Sequence, residues 1–218
     1  MVSSSIHQNG FRGQDLHFEM LDPDAVHLVR LFRHDGGDWQ PPQEQYRNLR
    51  VDPPSGSKAE FAVLYAANTL PAAAMECGIL RADHLDRYVW DADLAKQYKV
   101  VRYTYQTAAI FVPLDGRNRE VMGLAGGQRR FMGYDPYQQA SLRLFKRYGQ
   151  TVHGLCWESF HRDQPGRVYA IWHHRKDAMG LRIDSPQPYV MLADDPKWLE
   201  MLESYPDIQQ IRSLPPTH

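Results

Sequence analysis

The stretch FAVLYAANTLPAAAMECGIL, residues 61–80, constrains the chain most tightly. Residues 61–66 are apolar on both faces of a pleat, the pattern of a strand covered on each side. Asn68 and Thr69 can each cap a helix, because a short side-chain oxygen reaches the orphan amides of the first turn. Pro71 is tolerated in that turn and Gly78 supplies a stop, so the stretch predicts a strand running straight into a short helix. One acid, Glu76, lies in that helix and shares a face with Thr69, Ala72, Ala73 and Leu80. A carboxylate among small apolar residues is costly unless partnered, and the small residues leave room for a ligand to approach. Tyr65 stands near the end of the strand that feeds it.

The segments around this unit read as further strands and helices. Residues 25–33 alternate as a strand with Val29, Leu31 and Arg33 on one face, and His34, Asp35 and a Gly36–Gly37 turn follow. Residues 39–57 form a long loop rich in Pro and Gln that contains Tyr46 and Arg50; loops of this length often belong to a site. Residues 81–98 read as partly helical, and 100–114 as one or two strands. Residues 115–132 are the least regular, and 136–148 resume helical spacing before Gly149. Strands at 155–160 and 168–172 are joined by the turn HRDQPG, and a short strand near 189–192 precedes a helix from about 195 to 205. The sum is an α+β fold, one domain with a mixed central sheet flanked by helices.

With 218 residues the chain suits one domain, and 43% apolar residues suffice for a core. A net charge of −1 provides no field to recruit nucleic acid or an anionic membrane. No apolar run spans a bilayer and residues 1–14 lack a hydrophobic signal core, which predicts a cytoplasmic protein. Cys77 and Cys156 lack metal-like spacing and read as reduced, packed thiols.

Several constellations are weaker. His153, His161, His173 and His174 invite a metal-dependent hydrolase, but their spacing matches no ligand motif. The run GGQRRFMGY mixes Gly, Arg and aromatic residues as phosphate- or RNA-contacting loops do, yet has no phosphate-loop spacing; a solvated loop is favoured. Ser159 is not in a nucleophile elbow. Arg33, Tyr65, Glu76 and Ser159 do combine: a guanidinium fork for a diphosphate, an aromatic face for a base, and a carboxylate and hydroxyl for a ribose.

These residues lie in LVRLFRHD, FAVLYAANTLPAAAMECGI and GLCWESFH, which with YDPYQQASLRLFKRYGQTVHGLCWESF resemble the RES family over roughly residues 25–175. The family is named for an Arg, a Glu and a Ser, and its signature maps onto Arg33, Tyr65, Glu76 and Ser159. Arg50, in NLRVD, stands near the family's Gly-Arg-aromatic element, and Tyr46 is assigned to its second active-site Tyr. The resemblance implies a toxin of a toxin–antitoxin pair, with a fold similar to ADP-ribosyltransferases, that degrades NAD+ by hydrolysis or phosphorolysis of the nicotinamide–ribose bond. It implies catalytic Glu76, Arg33, Tyr65 and Ser159, and substrate contacts from Arg33, His34, Tyr46, Tyr65 and Ser159. NAD+ is then substrate, with no resident cofactor or metal and with inorganic phosphate as an alternative co-substrate to water. The implied partner is an Xre-type helix-turn-helix antitoxin, in an oligomer or hetero-complex, with no direct contact to nucleic acid or membrane. The organisation is an N-terminal arm (residues 1–24), a RES-like domain (25–175) and a C-terminal extension packed on it (176–218). Two alternatives are a catalytically silent nucleotide-binding module and the His-cluster hydrolase.

Overall fold

A computed structural model describes residues 16–23, 27–124, 133–161 and 165–211. Its centre is an eight-stranded sheet in the order β1 (Glu19–Leu21), β7 (Ala109–Pro113), β8 (Gly154–His161), β9 (Pro165–Trp172), β3 (Val63–Ala67), β2 (Leu28–Phe32), β6 (Lys99–Thr104), β10 (Arg182–Ile183). All neighbours are antiparallel except β7 and β8, so the sheet is mixed. A second sheet of β4 (Leu80–Ala82), β5 (Tyr88–Asp91) and β11 (Gln209–Ile211) lies beside it. The helices are α1 (Leu70–Glu76), α2 (Ala92–Ala95), α3 (Gly116–Val121), α4 (Asp135–Tyr148) and α5 (Pro196–Ser204).

Both faces of the large sheet are covered, which is why residues 61–66 show no alternation. Val63 and Ala67 pack in one cluster with Ala72, Ala73, Leu144, Trp157 and Trp198, from α1, α4, β8 and α5. Leu64 and Ala66 pack in another with Leu28, Phe32, Tyr103, Phe111, Tyr169 and Met179. Apolar residues on both sides of a strand are stable only where each side finds such a layer.

The strand–helix unit forms as its residues predict. Thr69 caps α1, its Oγ1 accepting from the Ala72 amide at 3.3 Å, and Pro71 occupies the first turn. Gly78 ends the helix at φ +68°, a conformation that Cβ-bearing residues resist. The strands expected at 155–160 and 168–172, and the helices at 136–148 and 195–205, correspond to β8, β9, α4 and α5. The turn between β8 and β9 falls largely outside the described residues, as do residues 1–15 of the expected arm; Glu19–Leu21 of that segment pair with β7 as an edge strand.

Three segments differ from expectation. Residues 81–98 are mostly the β4–β5 hairpin, with α2 as a single turn. Asp83 takes the Leu85 and Arg87 amides at 2.8 and 3.0 Å and the Arg87 guanidinium at 2.8 Å. The Asp83–Arg87 pair therefore closes the hairpin turn. Residues 189–192 make one isolated bridge, Met191 to Lys99, at one end of β6, while β10 pairs Tyr103 and Thr104 at the other. Residues 115–132 contain α3, and residues 125–132 lie outside the described residues.

The C-terminal segment is fastened to the sheet through Asp195. Its carboxylate takes Arg102 Nη2 at 2.9 Å on each oxygen and caps α5 through the Lys197 and Trp198 amides. Asp195 is 1% exposed, so removing it strands a partly buried guanidinium and uncaps a helix that supplies Trp198 to the core. Asp195→Ala is expected to lower unfolding free energy by about 3 kcal/mol, measured by urea titration.

Candidate functional site

A cleft of ≈ 720 Å³ opens between β2, β3, α1 and the loop that follows β2. Its walls include Arg33, His34, Tyr46, Tyr65 and Glu76, and also Arg30, Arg50, Tyr98 and Tyr134. Five predicted site residues therefore share one cavity, and the sixth, Ser159, stands behind Glu76 without lining it.

Glu76 is the last residue of α1, solvent-exposed and not buried as its neighbours suggest. Its position is still fixed. The indole N–H of Trp157, on β8, donates to Glu76 Oε1 at 3.1 Å, and the Ser159 hydroxyl lies 3.5 Å from the same oxygen. One carboxylate oxygen is thus held from below, which leaves the other for a ligand.

Tyr65 presents its ring to the cleft. Its hydroxyl is engaged behind, donating to Asp52 Oδ1 at 3.0 Å and accepting from the Val51 amide at 3.4 Å. Burial, and Asp52 beside it, push the phenol well above its ordinary range, so it holds its proton at any physiological pH. The ring meets Trp157 edge-on with centroids 6.3 Å apart.

Three arginines converge here in different ways. Arg33 is exposed just beyond β2, its guanidinium 5.6 Å from the centre of the Tyr98 ring. Arg30 is half-buried and donates to Gly37 O at 2.8 Å and Tyr65 O at 2.9 Å, tying the glycine turn to β3. Gly37 is required there: a Cβ would stand 2.8 Å from the His34 ring and 2.9 Å from the His34 carbonyl. Arg50 lies 5.2 Å from the Trp157 ring centre and 5.8 Å from that of Tyr137. Desolvation, with Arg30 and Arg33 nearby, lowers the His34 pKa and favours the neutral imidazole at pH 7. Tyr46 is 66% exposed at the rim.

The remaining chemistry-bearing groups serve elsewhere. Cys77 borders the cleft, but burial pushes its thiol up to about 12, which leaves it unreactive. Both cysteines are free. The histidines part ways: His153 Nδ1 accepts from the Ile110 amide, His173 Nε2 meets Trp39 O and Lys176, and His174 Nε2 meets Gly149 O. The His161 side chain is outside the described residues, and no three metal-ligating side chains gather among those described. His153, His173 and His174 therefore do not assemble the cluster that the His-dependent alternative requires. Lys176, 3% exposed, donates to Trp39 O at 2.9 Å and fixes the start of the loop that carries Tyr46. Of the run GGQRRFMGY, Gly133 and Tyr134 are described, and Tyr134 lines the cleft. No described helix is long and apolar enough to cross a membrane.

Sequence reasoning alone does not reach the roles of Trp157 and Asp52. Neither has a local signal, because Trp157 reads as a core aromatic and Asp52 as a loop acid.

The RES domain family model matches residues 27–193, and the chain belongs to that family. Among solved structures, it is similar to a chain in the crystal structure of the M. tuberculosis MbcT–MbcA toxin–antitoxin complex. The TM-score is 0.47 at 14% identity, over 80% of this chain and 87% of that one. No curated protein matches the chain.

Tyr65→Phe keeps the ring but leaves Asp52 and the Val51 amide short of a partner. It is expected to lower stability by about 1–2 kcal/mol, measured as a shift in the urea midpoint with an unchanged slope.

Proposed function

We propose that this chain is a RES-type toxin that breaks the nicotinamide–ribose bond of NAD+. The observation that carries the proposal is Glu76, held by Trp157 and Ser159 at the wall of a cleft that also contains Arg33, Arg50 and the Tyr65 ring. A cavity of ≈ 720 Å³ is of the size that takes a dinucleotide-sized ligand. Arginine forks suit its diphosphate, and an aromatic ring suits its planar base.

The chemistry asks for one carboxylate. When the C–N bond breaks, the electron pair goes to the pyridinium nitrogen and nicotinamide leaves neutral, so no general acid is needed. Positive charge develops on the ribose, as in glycoside cleavage, and a fixed carboxylate beside it stabilises that charge. Glu76 holds the ribose hydroxyls, Tyr65 packs against the nicotinamide, and Ser159 orients Glu76. Arg33 anchors the diphosphate, with His34 and Tyr46 as further contacts at the mouth. Water or inorganic phosphate completes C1′ and gives up its proton to solvent, yielding ADP-ribose or its 1-phosphate. NAD+ is the substrate, and no resident cofactor or metal has a role.

The catalytic unit spans about residues 25–175, with residues 1–24 as an arm and 176–218 as an extension. Family membership supports a cytoplasmic protein neutralised by an antitoxin, of the Xre helix-turn-helix type, in a hetero-complex. At a net charge of −1 such a complex depends on shape and apolar burial more than on salt.

Purified protein is expected to release nicotinamide as it consumes NAD+. Glu76→Gln keeps a hydrogen-bonding oxygen but loses the charge, so turnover falls at least about a hundredfold while NAD+ binding persists. Arg33→Ala weakens binding as well. Ser159→Ala is milder, about fivefold, as for one hydrogen bond of roughly 1 kcal/mol. A Glu76→Gln variant as active as wild type overturns the mechanism.

A further inference from the structure

Arg50 is presented to the cleft by a turn whose backbone is bound on every side. The Leu49 amide donates to Asp52 Oδ2 at 2.8 Å, and Leu49 O accepts from Gln138 Nε2 at 2.9 Å. The Val51 amide donates to the Tyr65 hydroxyl, and Val51 O accepts from Ser141 Oγ at 2.8 Å. The Val51 side chain is 0% exposed, a plug in the core directly after Arg50. Helix α4 and strand β3 thus grip the two residues flanking Arg50.

Asp52 is the acid closest to Arg50 in sequence, and it does not pair with it. At 2% exposure its carboxylate takes the Leu49 amide on one oxygen and the Tyr65 hydroxyl on the other. Arg50 is left over the Trp157 and Tyr137 rings, with no hydrogen bond or ion pair to a carboxylate among the described residues. An oriented guanidinium without a protein anion is a receptor for a ligand anion, and its planar fork fits two oxygens of a phosphate group.

We propose that Asp52 is a positioning residue for anion binding. Its carboxylate, through the Tyr65 hydroxyl and the Leu49 amide, locks the 49–52 turn so that Arg50 meets the diphosphate of the ligand. The inference rests on the NAD+ proposal only for the nucleotide; the geometry itself asks for a diphosphate-class anion. Burial raises the Asp52 pKa, and the Leu49 amide and Tyr65 hydroxyl from which its carboxylate accepts oppose that rise. Asp52 also couples the two groups: the same carboxylate that sets the Arg50 turn orients the Tyr65 ring.

The test is a double-mutant cycle on affinity. Wild type, Arg50→Ala, Asp52→Asn and the double variant are titrated calorimetrically with inorganic pyrophosphate and, separately, with NAD+. Each single substitution is expected to weaken pyrophosphate binding about tenfold, and the double variant to bind within about twofold of Arg50→Ala alone. Asp52→Asn is expected to melt within a few degrees of wild type and, where NAD+ is consumed, to raise KM more than it lowers kcat. Should Asp52→Asn fail to fold, Tyr65→Phe removes the same link from its other end and takes its place in the cycle. Unchanged affinity in Asp52→Asn, full additivity with Arg50→Ala, or no pyrophosphate binding by wild type overturns the inference. Wild type that binds pyrophosphate in this pattern but not NAD+ upholds the inference and sinks the nucleotide proposal.

Discussion

A buried indole N–H directed at an exposed carboxylate, Trp157 to Glu76 at 3.1 Å, joins the end of α1 to β8. Trp157 is 3% exposed, and its nitrogen would be an unsatisfied donor without that oxygen. The same ring lies under the Arg50 guanidinium and against the edge of Tyr65. One core side chain therefore sets the position of an acid, a base and an aromatic face. Packing in the interior fixes a side chain to within a rotamer, and this precision passes outward to the three groups that line the cleft.

The consequence is a site in which opposite charges stand near each other without pairing. Glu76 accepts from neutral donors, Trp157 and Ser159, and Arg50 rests on aromatic rings. An acid and an arginine allowed to meet would neutralise one another and leave little for a ligand. Holding them apart on a shared tryptophan keeps a negative and a positive group available to a ligand, as the proposed dinucleotide, with a cationic ring and an anionic diphosphate, would require. The Tyr65 hydroxyl is part of the scaffold, so its contribution to a ligand is its ring.

The strand–helix unit was legible in the sequence because its signals are local. A doubly apolar strand, a capping Thr69, Pro71 in the first turn and Gly78 after it each act within a few residues. Glu76 stood out for the same reason, although its exposure was not readable: that depends on how α1 seats over β8 and β9. Arg50 and Asp52 were nearly silent. The bonds that give their turn its shape come from Gln138 and Ser141, 89 and 90 residues away, and from Tyr65 on a different strand. The β4–β5 hairpin was not legible because the turn that closes it depends on Asp83 taking the Leu85 and Arg87 amides, bonds that residues 81–98 do not announce by spacing. The histidines close in sequence part ways because β9 and the turn after it send the His173 and His174 rings to different partners.

In the proposed reaction the ribose next to nicotinamide sits against residue 76. The most direct measurement is a crystal structure of the Glu76→Gln protein soaked with NAD+. Intact dinucleotide is expected in the cleft, its nicotinamide ribose hydroxyls within hydrogen-bond reach of the side chain at position 76 and its diphosphate near the arginines. NAD+ bound elsewhere, or bound in the cleft with the nicotinamide ribose pointing away from position 76, would contradict it.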